Sequence, residues 1–127
     1  MTSYKELIVW QKAFNLTLRF YRLSKIFPKE EMFVLTAQMR RSVISIISNI
    51  AEGYTRKTTK DYHHFITIAF GSATEFEVQL LLAKELDYVS EKDYQELNNL
   101  LIEVLKMLNK LSSSLKNVTN YSLITSH

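Results

Sequence analysis

Arg56, Lys57, Lys60, His63 and His64 crowd one short stretch of the chain. A histidine can carry a proton to or from a reacting group near neutral pH, and an arginine can neutralise a phosphate oxygen. Arg56 and His63, with six residues between them, are therefore a candidate acid–base and phosphate-binding pair. The plainer reading is that His63 and His64 are surface residues at the start of a helix. Arg56, Lys57 and Lys60 also form a basic corner that could meet nucleic-acid phosphates. Such contacts are electrostatic and tolerate any base sequence. Tyr54, just before them, offers one ring for base stacking.

A second polar group is spread out but periodic. Gln38, Ser42, Ser45, Asn49 and Glu52 recur at spacings of four, three, four and three, which places them in one row on a helix. One reading is a ligand site formed by Gln38, Arg41, Asn49 and Glu52, with Glu75 and Gln79 from a later helix. The reading adopted here is structural. Gln38, Arg40, Arg41, Asn49, Glu52, Glu75 and Gln79 form a buried polar network that sets the register of helices or subunits. Buried polar groups must be paired, and a paired set specifies one arrangement. Arg40 falls inside an apolar arc and is expected to need an acidic partner, with Glu75 the candidate.

Other chemistries lack their residues. The chain has no cysteine, so thiolate metal sites and cysteine nucleophiles are excluded. Paired-metal bundles use Glu-x-x-His, and no such spacing occurs. No Walker loop, zincin motif or Ser-His-Asp order is present. The expectation is a protein without catalytic residues, metal or cofactor.

The elements that must position these residues are helices. Two glycines and one proline in 127 residues suit long helices with short connections. The first helix is expected over about residues 5–25, with two apolar stripes. Leu7, Trp10, Phe14, Leu18 and Tyr21 make one; Val9, Ala13, Leu16, Phe20 and Leu23 make the other. Pro28 marks the first connection. The second helix, about 30–53, begins with Glu30 and Glu31 at its positive end. Met39, Val43, Ile46 and Ile50, with Ile44, Ile47 and Ala51 beside them, form an arc wider than one core face needs. Gly53 is read as its C-terminal cap. The third helix, about 59–86, is capped by Thr58 or Thr59. Tyr62, Phe65, Ile66, Ala69, Ala73, Phe76, Leu80 and Ala83 form its main apolar face, and its middle is thinned by Ala69, Gly71, Ser72 and Ala73, so that the Ser/Asn row of this chain or a neighbour can approach. The fourth, about 91–115, follows Ser90 and Asp93, a variant capping box. Its seam is Tyr94, Leu97, Leu101, Val104, Leu108, Leu111 and Leu115, the spacing of antiparallel bundles. Residues 1–116 thus form one all-α domain, an up-down-up-down, left-handed, antiparallel four-helix bundle. Residues 117–127 lose the periodicity and are expected to be a flexible tail.

Charge is unevenly placed. Residues 1–60 hold eleven Lys/Arg and four Asp/Glu, a net +7; residues 61–105 hold two Lys and nine acids, a net −7; residues 106–127 add three Lys. Either the surface has two poles, or basic and acidic helices lie side by side and neutralise each other. No apolar leader and no run of about 18 apolar residues is seen, so a cytoplasmic protein without a membrane partner is expected.

Arg40-Arg41-Ser42, Ser45, Asn49-Ile50-Ala51-Glu52-Gly53 and Arg56 resemble the signature of the bacterial ribosomal-RNA intervening-sequence proteins. Val9-Trp10-Gln11-Lys12-Ala13, Phe27-Pro28 with Glu31, and Gly71-Ser72 with Glu75, Glu77, Gln79 and Leu80 agree with it. The resemblance covers about residues 4–115. It implies a four-helix bundle assembled into a homopentameric ring and encoded within intervening sequences of large-subunit ribosomal RNA. A related bundle serves a retroelement reverse transcriptase, which implies RNA or DNA, and another protein, as partners. The reading that follows is a non-enzymatic nucleic-acid-associated or scaffolding protein. The alternative rests on Arg56 and His63, whose spacing resembles the motif of the HEPN ribonucleases, with Lys57 departing from the commoner pattern. It makes the protein a ribonuclease or a toxin–antitoxin component, with the two residues paired across subunits.

Overall fold

The computed structural model describes residues 3–125, with side chains described as far as Val118. The described residues are helical, without strands. The helices are α1 (Ile8–Leu23), α2 (Leu35–Tyr54), α3 (Thr59–Glu85) and α4 (Glu91–Thr125). Helix α1 packs on α2 and α4, and α3 packs on α2 and α4. Each helix therefore touches its neighbours in the chain, and α4 closes the set onto α1.

The core is built from the predicted stripes. Val9, Ala13, Leu16 and Phe20 of α1 meet Met39, Val43, Ile46 and Ile50 of α2. Ile66, Ala69, Ala73, Phe76, Leu80 and Ala83 come from α3, and Leu97, Leu101, Val104 and Leu108 from α4. Phe20 sets its edge against Phe27 and Phe76, at 5.8 and 5.0 Å. The second stripe of α1 divides. Leu7, Trp10 and Tyr21 are half-buried, whereas Phe14 and Leu18 face outward. Trp10 stacks on Phe14 at 4.9 Å and donates its indole N–H to the Ile47 carbonyl at 3.2 Å, which ties α1 to α2.

Several boundaries differ from the sequence reading. Helix α1 is flanked by 3-10 turns at Tyr4–Glu6 and Ser24–Ile26. Glu30 and Glu31 lie in a third 3-10 turn, Lys29–Glu31, and not in the first turn of α2. The path breaks at Val34 (φ −118°, ψ −98°), so α2 begins at Leu35. Phe33 is left 87% exposed on the break. Helix α4 runs on to Thr125 and not to 115, in keeping with the absence of Gly and Pro from its last turns.

Gly53 is not a cap. Helix α2 continues through Tyr54, and no glycine has positive φ. Gly53 is buried where α2 and α3 converge. A β-carbon there would stand 2.8 Å from the Phe65 Cβ and 3.1 Å from Tyr62 Cδ1, so a close approach requires the glycine. The αL residue is Asp87 instead, at φ 62°. Its N–H bonds the Lys84 carbonyl and the Tyr88 N–H bonds the Ala83 carbonyl, a Schellman closure of α3. The Thr58 and Ser90 caps form as read, each accepting an N–H from the residue three on, at 3.1 Å.

The charge asymmetry is partly neutralised within the subunit. Lys12 and Arg19 of basic α1 pair with Glu103 and Glu96 in the acidic first half of α4, each at 2.8 Å. Both pairs are exposed, so each contributes at most about 1 kcal/mol. Helix α3 contains an 18-residue window of mean hydropathy 1.3, a value that bilayer-spanning helices also reach. It is this apolar because it carries nonpolar residues on its core face and on its outer face.

Candidate functional site

The contact between α2 and α3 receives the polar row. Ser42, buried on α2, donates to the Gln79 Oε1 at 2.7 Å. Gln79, only 8% exposed, turns its amide N–H toward Glu75 Oε1 at 3.2 Å. One turn further along, Ser45 and Ser72 share a hydrogen bond of 2.8 Å. Asn49 donates to the carbonyl and hydroxyl of Ser45, at 2.8 and 3.0 Å. The row thus meets the thinned middle of α3 in this same chain. Its ends do not: Gln38 and Glu52 are exposed, as are Arg41 and Glu75. Ser42, Ser45 and Ser72, which carry most of these bonds, were not among the seven residues assigned to the network. Their four-three spacing was the signal for Ser42 and Ser45.

Arg40 does not pair with Glu75. Its Nε and Nη2 both donate to Ser24 Oγ, at 3.0 and 2.8 Å, and its guanidinium lies 4.9 Å from the centre of the Tyr21 ring. Arg40 points to the α1 side of α2, where a cationic head can rest on an aromatic face, and not toward α3.

The basic corner lies at the α2–α3 connection. Arg56, Lys57 and Lys60 are all exposed. Arg56 lies over the Phe65 ring at 4.6 Å and 3.9 Å from Glu52, so it is held against the end of the bundle. Tyr54 meets Tyr62 edge-on at 6.2 Å, and burial next to Tyr54 pushes the Tyr62 hydroxyl above its usual pKa. His63 is half-buried, with Nε2 3.1 Å from the Ser112 hydroxyl of α4. His64 packs edge-on against Phe65 at 5.7 Å. Arg56 and His63 are therefore engaged with different partners. Among the described residues, no group of three His, Cys, Asp or Glu side chains could hold a metal ion.

The outer face of α3 carries a further feature. Ile68, Gly71, Glu75, Val78 and Leu82 are all exposed and follow a three-four spacing. Leu81 and Leu86 flank them, also exposed. Gly71 has open space where a side chain would stand, with nothing within 4 Å. The close packing expected at Gly71 does not occur within this subunit.

Comparison with known proteins agrees with this architecture. No curated protein matches the chain. A crystal structure of a protein of unknown function from the S23 ribosomal protein family of Bacteroides thetaiotaomicron superposes with a TM-score of 0.77 at 28% identity. The match covers 83% of this chain and 98% of that one. Residues 5–110 match the family model described as 23S rRNA-intervening sequence protein, and the chain belongs to that family.

Proposed function

We propose that the protein is a non-enzymatic, self-assembling four-helix bundle that associates with nucleic acid. The observation that carries this reading is the outer face of α3. Val78 is 64% exposed, and Ile68, Leu81, Leu82 and Leu86 join it on a face that also carries Gly71, with nothing above the glycine. An apolar helix face that includes an open glycine suits close approach by a second helix. Short connections favour an up-down-up-down antiparallel course for the subunit, and the family resemblance favours a ring of five subunits in the cytoplasm.

Assembly would repeat the basic corner around an axis. One subunit offers Arg56, Lys57 and Lys60, a small patch. Several copies on one strand would add their phosphate contacts. Within one subunit His63 bonds Ser112 while Arg56 lies on Phe65 and Glu52, so the ribonuclease alternative requires the two residues to pair across subunits.

The test is binding of a labelled single-stranded RNA across a salt series. The parent is expected to bind with a log–log salt slope of about −0.7 per phosphate contacted. Lys57→Glu with Lys60→Glu should weaken binding and flatten the slope while leaving circular dichroism unchanged, because both side chains are exposed. Equal binding by the folded double variant would remove this corner from the interface. RNA cleavage lost in His63→Ala would replace the whole reading with the nuclease one.

A further inference from the structure

A cavity of about 270 Å³ opens between the end of α1 and the first turn of α2. Its cationic side chains are Arg40, Lys25 and Lys29, and no Asp or Glu lines it. None of the three takes part in the ion pairs among the described residues. Three positive charges on one cavity without a carboxylate leave a field that favours an anion.

The polar groups around it are also incompletely used. Arg40 presents five N–H donors, of which Ser24 Oγ takes two. Ser24 in turn donates to the Tyr21 carbonyl at 3.0 Å, so its oxygen is aimed at Arg40 and fixes the guanidinium. Thr36, on the wall, stands in the first turn of α2, a helix of 20 residues whose N-cap residue Val34 provides no side-chain cap. The positive end of a helix with free N–H groups is a favourable place for an oxyanion.

The remaining wall is apolar, with Phe27, Pro28 and Met32. At about 30 Å³ per water, the volume admits a phosphate and a ring-sized group beside it. We propose that this cavity binds a phosphomonoester dianion, with Arg40, Lys25 and Lys29 around the phosphate and the organic part against Phe27 and Met32. Three cations suit a dianion better than a single carboxylate. The site is separate from the basic corner and does not depend on it.

The experiment is calorimetric titration of the full-length protein with inorganic phosphate and with phenyl phosphate. Phenyl phosphate is expected to bind saturably, one per subunit, and more tightly than inorganic phosphate. Arg40→Gln should weaken it at least about tenfold. Lys25→Gln with Lys29→Gln should weaken it severalfold without lowering the melting temperature, since both side chains are exposed; this variant decides the matter if Arg40→Gln fails to fold. Lys57→Glu with Lys60→Glu should leave it unchanged. A 5′-phosphorylated oligonucleotide and its 5′-hydroxyl counterpart identify the source. An Arg40-dependent preference for the phosphorylated end would assign the site to a nucleic-acid terminus, and no preference would assign it to a free metabolite. Absence of saturable phenyl phosphate binding at millimolar concentration would overturn the proposal. So would binding unaffected by Lys25→Gln with Lys29→Gln and by a folded Arg40→Gln.

Discussion

Gly53 and Phe65 approach so closely that a β-carbon on the glycine would lie 2.8 Å from the Phe65 Cβ. That neighbour is the root of a side chain and not its flexible end, so the helices must part to admit a methyl group. Alanine would otherwise gain about 1 kcal/mol of helix propensity. Overpacking of this kind costs about 1–3 kcal/mol. Gly53→Ala is therefore expected to lower stability in a denaturant titration. A rise in the midpoint would show that α2 and α3 separate there at no cost.

The Ser42–Gln79 hydrogen bond is the buried polar link between the same helices. Ser42→Ala removes the donor and leaves Gln79 Oε1 without it, at an expected cost of about 1–3 kcal/mol. Glu52→Ala, at an exposed position in the same row, should change stability by less than about 0.5 kcal/mol. Thermal melts of the two variants distinguish a buried register device from a surface row. Equal melting temperatures would remove the distinction.

Lys84 and Glu91 join the end of α3 to the start of α4 at 3.2 Å. The hydrogen bond from Gln95, and then that from Lys84, hold the Glu91 carboxyl below its usual pKa. The hydrogen bond to Glu91 holds Lys84 above its usual value. The Glu91 contribution to stability is thus present above the unfolded carboxyl pKa of about 4.3 and is lost as pH falls through the lower folded value. The Lys84 contribution is present below about 10.4 and is lost as pH rises through the higher folded value. An NMR titration should place the Glu91 midpoint below a free glutamate. Lys84→Met should move it upward but not all the way, because Gln95 remains. A midpoint unmoved by Lys84→Met would show that the pair does not form in solution.

What the sequence made legible was mostly local or periodic. Thr58 and Ser90 cap their helices through bonds within three residues, and the apolar stripes of α2, α3 and α4 repeat at helical spacing. Those features need no knowledge of the partner. The start of α2 was not legible. No Gly, Pro or capping side chain marks Val34, and the break depends on how Lys29–Glu31 turns after Pro28. Gly53 was misread because a glycine near a helix end serves equally as a cap or as a point of close approach, and only the position of Phe65 separates the two. Arg40 was assigned a carboxylate because an arginine in an apolar arc needs a partner. Ser24 and the Tyr21 ring meet that need from another helix. Gly71 was read for close packing, and the space over it in this subunit is open.

That open space leads to the most direct measurement, the mass of the protein in solution by sedimentation equilibrium, for the parent and for Val78→Glu. Val78 lies on the outer face of α3, away from the subunit core, so the variant should keep its helical circular dichroism. The parent is expected to sediment as a homo-oligomer several times the 14.9 kDa subunit mass, and folded Val78→Glu as a smaller species. A parent that remains a monomer at micromolar concentration, or a variant whose assembly is unchanged, would contradict the assignment of this face to self-assembly.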